Sequence, residues 1–190
     1  MRIILASGSP RRKQLLKERG IDFEIIKALG EENTTKTDPE EIVKELSFNK
    51  AKEVFDAVNS DDEYLVIGSD TIVFFQGEVL GKPKDRVDAK RMISMLSGNV
   101  HQVYTGVTLV KSSQSEPYII SFADKTDVYV KQLSESEIDE YVASGDCDDK
   151  AGSYGIQGEF GRYIDHIVGD LNNVIGLPAD HVIEELNKLM

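Results

Sequence analysis

The apolar positions change their spacing several times along the chain, and each change marks an element. Ile3 to Ala6 is a short apolar run, followed by Ser7-Gly8-Ser9-Pro10 and a helical pattern ending at Gly20, which reads as strand, loop and helix. Ser9 takes the N-cap and Pro10 the first helical position. From Pro39 to Val58 the residues Ile42, Val43, Leu46, Ala51, Val54 and Phe55 keep helical spacing, with Asp38 as N-cap. Tyr64 to Ile67 reads as a buried strand and Ile72 to Phe75 as another, with Asp70 interrupting the apolar run. Gln76-Gly77-Glu78 then turns the chain into Val79-Leu80 as a hairpin, and Val87 to Leu96 is helical again.

The second half starts rich in β-formers. Val100, Tyr104, Val107 and Leu109 give one strand and Tyr118 to Val130 another, paired around the polar turn Lys111 to Glu116. Ser134 with Glu137 three residues on is a capping box, so a helix starts there and stops at Gly145. Gly152, Gly155, Gly158 and Gly161 read as a loop with close backbone approach, and Pro178 to Met190 as an amphipathic helix. Alternating elements early and clustered strands in the middle predict a mixed α/β sheet. No linker or true repeat divides residues 1–190, which read as a single domain.

Composition narrows the function. The 22 basic and 34 acidic residues give a net charge of −12, which argues against a nucleic-acid binder or an anionic-membrane binder. Cys147 is alone and His101, His166 and His181 lie far apart, so neither a disulfide framework nor a Cys/His zinc site is expected. The opening apolar stretch is too short for a signal peptide, and no uncharged apolar run reaches about 18 residues, so the expectation is a soluble cytoplasmic protein.

The charge is unevenly placed. The first twenty residues hold six basic residues against Glu18, a local charge of +5, while the rest of the chain carries −17. Arg11, Arg12 and Lys13 fall in the first helical turn, where the macrodipole disfavours cations and a capping box would place an acid. A local rule broken in this way fits a phosphate chain bound at the loop and helix start; a solvated basic turn is the plain alternative. The G-x-x-x-x-G-K-[ST] spacing of a P-loop is absent.

Asp70 lies in an apolar context where a carboxylate needs a cation or hydrogen bonds. It reads either as a metal ligand or general base at a strand end, or as a turn or bulge residue between two strands. Lys82, in Gly81-Lys82-Pro83, reads as a loop lysine able to reach the same pocket. Lys50 and Lys52 read as surface partners in i,i+4 pairs, and Glu31 and Glu32 either serve a divalent cation or face water. The acidic run Glu135 to Asp149 reads as a solvated face with no chemistry. Gln157 offers an amide donor and acceptor suited to a base edge, or simply stabilises its loop.

Taken in order, Leu5-Ala6-Ser7-Gly8-Ser9-Pro10-Arg11-Arg12, Gly68-Ser69-Asp70-Thr71-Ile72-Val73, Gly81-Lys82-Pro83, Leu96-Ser97-Gly98 with His101, Thr105-Gly106-Val107 and Asp149 to Gly158 resemble the Maf family. Gly169-Asp170 and Asn173 to Pro178 extend the likeness to about residue 187. The resemblance implies a nucleoside triphosphate pyrophosphatase of the inosine triphosphatase type, with an elongated mixed sheet and two lobes around a cleft. It implies hydrolysis between the α and β phosphates with Mg2+, Mn2+ or Co2+, in a homodimer that serves nucleotide-pool housecleaning and is linked to arrest of septum formation. The base-specificity positions fall on Arg12, Thr71 and Gln157, the combination of the dTTP/UTP branch. The base falls on Asp70, phosphate and cleft contacts on Ser7, Arg11, Arg12, Lys50 and Lys82, and the metal-side acid on Glu32, with Glu31 in reserve. Gly8 and Glu159 to Tyr163 depart from residues common in the family. A nucleotide-sensing division protein that binds triphosphates without turnover is the alternative that the same basic pocket allows.

Overall fold

The structure, a computed structural model, describes residues 1–58 and 62–190. Among these, strands β1 (Arg2–Leu5), β2 (Glu24–Ile25), β3 (Tyr64–Phe75), β4 (Glu78–Leu80), β5 (Val100–Lys111), β6 (Tyr118–Val130) and β7 (Ile164–Val168) form one mixed sheet. Its order is β2-β1-β3-β5-β6-β7, with β4 on β3. β1 runs parallel to β2 and β3, whereas β3/β4 and β6/β7 are antiparallel. The helices are α1 (Pro10–Glu18), α2 (Pro39–Ala57), α3 (Arg86–Leu96), α4 (Glu135–Ser144), α5 (Leu171–Ile175) and α6 (Ala179–Leu189). This is the mixed α/β class that the residue pattern predicts. Among the described residues, no helix is long and apolar enough to cross a membrane.

The chain divides into two compact units. The first comprises Met1–Asp70, Thr105–Asp124 and Gly176–Met190. Here Ile4, Ala6, Ala51, Val54, Val66 and Val110 share one apolar core. Helix α2 starts on Asp38, whose carboxylate accepts the N–H groups of Glu40 and Glu41 at 3.0 and 3.1 Å. Two glycines set how closely α2 approaches the strands. A Cβ on Gly68 of β3 would stand 2.2 Å from the Ser47 carbonyl oxygen, and one on Gly106 of β5 would stand 2.2 Å from that of Val43. Ser47 is fully buried, and its hydroxyl meets that of Thr108 on β5 at 2.9 Å.

One expectation is corrected here. The apolar runs on either side of Asp70 are a single strand, β3, and Asp70 sits inside it rather than at a strand end or in a turn between two strands. A nonlocal cation satisfies its carboxylate, as described below, so the backbone has no need to turn. Strand β2 was not anticipated either; its two exposed residues pair with Ile4 and Leu5 and leave no apolar alternation to read.

The second unit comprises Thr71–Tyr104 and Lys125–Ile175. The β3–β4 hairpin turns at Gln76 and Gly77, both at positive φ (49° and 88°), as a two-residue turn of the favoured hand requires. Both capping-box bonds of α4 form between Ser134 and Glu137, and Gly145 ends the helix in the left-handed region. The glycine-punctuated stretch holds two short 3-10 turns, Ala151–Ser153 and Glu159–Tyr163. Its close approaches are real: a Cβ on Gly152, which has φ +66°, would lie 2.8 Å from a Val73 methyl. Strand β7 and the five-residue α5 follow it, neither anticipated from the sequence. Buried His101 bonds the Tyr154 hydroxyl through Nε2 at 2.7 Å.

Two outcomes follow for stability. Gly68→Ala forces α2 off β3 and should cost about 1–3 kcal/mol in urea denaturation, as overpacking does; a loss below a few tenths would refute the close approach. Burial pushes the His101 imidazole from 6.5 down to about 4, so the unfolded chain takes up a proton at a pH where the folded one does not. This contribution is therefore intact above about pH 6.5 and lost as pH falls towards 4, by about 3 kcal/mol in all. Urea midpoints of the protein and of His101→Gln should converge as pH drops through that window; a constant gap contradicts it.

Candidate active site

The first unit gathers charge where β1 hands over to α1. The Ala6 N–H bonds the Ile67 carbonyl at 2.8 Å, so the chain stays in the sheet until Ser7. Ser7 Oγ then accepts the Ser9 N–H at 3.2 Å, and Ser9 Oγ caps α1 by accepting the Arg12 N–H at 3.5 Å. Pro10 opens the helix and its first turn holds no acid, as predicted. Arg11 and Arg12 are half-buried there.

Arg12 is fixed by main-chain oxygens. Its Nε donates to the Gly176 carbonyl at 2.8 Å, and its Nη1 donates to the Ser69 carbonyl at 2.9 Å and to Ser7 Oγ at 3.2 Å. The buried Ser69 hydroxyl donates to the same Gly176 oxygen at 3.3 Å. Burial lowers the Arg12 pKa, with Asp70 pulling it back up, Arg11 lowering it further and Glu32 raising it. A guanidinium stays protonated under such shifts.

Asp70 faces Lys50. The carboxylate is buried, at 6% exposure, and its Oδ1 lies 2.5 Å from Lys50 Nζ. Glu32 Oε1 lies 2.6 Å from the same ammonium, so one cation joins two carboxylates. The expectation of a surface i,i+4 pair holds for Lys52, which meets Asp56 at 2.5 Å, and fails for Lys50. Lys50 has Leu46 and Val54 at i−4 and i+4 and so no acid on its own helix to pair with at that spacing, while Ala51 presses on Gly68 and brings the neighbouring lysine over the strand two residues before Asp70. Of the two glutamates, Glu32 reaches Lys50, while Glu31 accepts from Asn33 at 2.6 Å.

Among the described residues, no group of three or more His, Cys, Asp or Glu side chains is arranged to hold a metal ion. Asp70 and Glu32 still converge on one positive charge. Mg2+ in nucleotide sites takes one or two carboxylates and completes its shell with phosphate oxygens and water, so this pair fits a cation that arrives with phosphate.

Thr71, Lys82 and Gln157 belong to the second unit. Thr71 follows Asp70 on β3 and is half-buried, Lys82 is exposed just after β4, and Gln157 is exposed in the glycine-rich loop. Three contributors escaped the sequence reading. Ser69 and Gly176 act through carbonyl oxygens, for which a sequence has no signal beyond the presence of a motif. Lys27 lies across Gly8, where a Cβ would meet its Cε at 2.5 Å and its Nζ at 3.2 Å. The departure at Gly8 thus makes room for a lysine.

Comparison with known proteins bears on the whole chain. A Maf-like protein family model matches residues 2–189. A "dTTP/UTP pyrophosphatase" of Agathobacter rectalis is 50% identical over 200 residues, covering 98% of this chain and 97% of the relative. A protein of the same name from Bacillus thuringiensis subsp. konkukian is 45% identical over 188 residues, covering 98% and 95%. Among solved structures, a nucleoside-triphosphatase / dITP/XTP pyrophosphatase of Mycobacterium abscessus aligns over 100% of this chain and 97% of its own, with 12% identity and a TM-score of 0.42. With near-complete coverage and half its residues shared with such a relative, the chain belongs to the Maf family.

Proposed function

We propose that the protein is a nucleoside triphosphate pyrophosphatase that hydrolyses dTTP and UTP to the nucleoside monophosphate and pyrophosphate. The observation that carries this reading is the buried Asp70 carboxylate, which shares the Lys50 ammonium with Glu32 and lies one residue beyond a carbonyl that fixes Arg12. The names of the two relatives support the substrate. Ser7, Arg11, Arg12, Lys50 and Lys82 bind the triphosphate, while Arg12, Thr71 and Gln157 read the base. Phosphate charge offsets the basic first turn of α1 and gives Lys50 a third anionic partner.

Asp70 takes a proton from water as its oxygen attacks the α-phosphorus. The bond from that phosphorus to the bridging oxygen breaks, and pyrophosphate leaves with the bonding electrons. Lys50 and Arg12 hold the developing negative charge. A divalent cation held by Asp70 and Glu32 supplies Lewis-acid stabilisation of the phosphate oxygens when bound. The same reading has residues 1–190 working as one domain, as a homodimer in the cytoplasm, on free nucleotides in pool housecleaning with a link to septum formation.

Purified protein with Mg2+ and dTTP should release pyrophosphate; release of orthophosphate instead overturns the scheme. Asp70→Asn should lower kcat by about 10²–10⁴, the range for loss of a general base, and full activity of that variant would falsify its role. Arg12→Lys should raise KM for dTTP, because a single ammonium cannot span two carbonyls and still meet phosphate in a fork.

A further inference from the structure

We propose that Asp146 and Lys150 are positioning residues for base recognition, holding the loop that presents Gln157. The inference rests on the nucleotide reading above. It concerns Asp146, near the end of the acidic stretch read as a solvated face, and Lys150, which follows that stretch.

Most acids of that stretch are exposed, but the side chains of Asp146 and Lys150 are only 25% and 15% exposed. Lys150 Nζ donates to Asp149 Oδ1 at 2.8 Å, to Asp146 Oδ1 at 3.1 Å and to the Asp146 carbonyl at 2.5 Å. The second Asp146 oxygen, Oδ2, accepts the Glu159 N–H at 3.2 Å. One carboxylate therefore ties the lysine to the far side of the Gln157 loop.

The glycines show how closely the pair grips that loop. A Cβ on Gly155 would lie 2.8 Å from the Lys150 Cδ and Cε, and one on Gly158 would lie 2.2 Å from Asp146 Oδ2. Between the two contacts the Gly158 N–H bonds the Gly155 carbonyl at 3.1 Å, closing a turn. Ile156 and Gln157 occupy that turn, Ile156 half-buried and Gln157 exposed. Lysine methylenes brace one end and a carboxylate the other. The Gln157 backbone is thereby located by two side chains.

An amide discriminates between bases only if it stands at hydrogen-bond distance from their polar edge, and an ångström of drift forfeits that. Loosening the brace should therefore erode selection among bases more than it slows the reaction of the preferred one. Neither residue is a catalytic residue in this scheme.

The test compares kcat/KM for dTTP with kcat/KM for dGTP in the full-length protein with Mg2+, reading pyrophosphate. Lys150→Met and Asp146→Asn should each shrink that ratio by about tenfold through KM, with kcat for dTTP changed less than about threefold, and Lys150→Arg should restore most of it. Gln157→Ala should shrink it similarly, and Gln157→Ala with Lys150→Met should do no more than Gln157→Ala alone. A Lys150→Met ratio within about twofold of the parent, in protein with an unchanged urea midpoint, overturns the brace. So does additivity in the double variant. If Lys150→Met fails to fold, Asp146→Asn decides by the same ratio. An unchanged ratio in Gln157→Ala overturns the base-reading premise and the brace with it. Absence of pyrophosphate from the parent protein marks instead the failure of the pyrophosphatase reading.

Discussion

Burial of Asp70 is the constraint on which the candidate site depends. A carboxylate at 6% exposure inside a strand costs several kcal/mol unless a cation and hydrogen bonds compensate it. The compensating ammonium is Lys50 on α2, and it arrives only because α2 lies directly against the sheet. Gly68 and Gly106 permit that contact, and the buried Ser47–Thr108 hydroxyl pair fixes it. A strand glycine is thus part of the electrostatics of the carboxylate two residues further on. Breaking the pair from the lysine side leaves an uncompensated charge, so residues with no chemistry of their own hold the chemistry in place.

Arg12 shows the complementary case of a charge held by neutral oxygens. A cation in the first turn of a helix opposes the macrodipole, and the sequence alone offers nothing to offset it. The structure does so from distant segments: the carbonyls of Ser69 and Gly176 and the hydroxyl of Ser7. Gly176 has φ +127°, a conformation that other residues rarely adopt, so its carbonyl direction is a property of glycine at that position. The broken local rule is therefore compensated in part by the protein itself, before any ligand is considered. Phosphate remains the partner suited to the helix start, but it is not the sole source of compensating charge.

What the sequence made legible follows the range of the interactions involved. The caps of α1, α2 and α4 depend on neighbours three residues away, and they were read with the right residues. The β3–β4 hairpin was likewise written in Gln76-Gly77. Strands β2 and β7 were not legible, because two exposed residues and a half-exposed edge become strands only by pairing with a neighbour. Asp70 was legible as unusual but not as mid-strand, since the partner that spares it a turn is twenty residues away in sequence. Lys50 differs from Lys52 in the sequence itself, having Leu46 and Val54 four residues away where Lys52 has Asp56, but which distant carboxylates it meets is decided by tertiary packing. Asp146 hid inside a charge run most of whose other acids face water, and Lys150 directly follows it.

The net charge of −12 weighs differently once the pairs are known. Several exposed acids are paired within their own helix or with a neighbouring one, as in Lys44–Glu40, Lys52–Asp56 and Lys90–Asp139. At physiological ionic strength their field decays over about 8 Å, so a small anion at the start of α1 responds to nearby groups rather than to the sum. There it meets Arg11, Arg12 and Lys27, while the two acids of the cluster already share Lys50. A long polyanion has no such shelter, because it must lie across the acidic remainder of the surface as well. The same charge that argues against a long polyanion is therefore compatible with a single triphosphate, and the difference lies in the length of the ligand relative to the screening length.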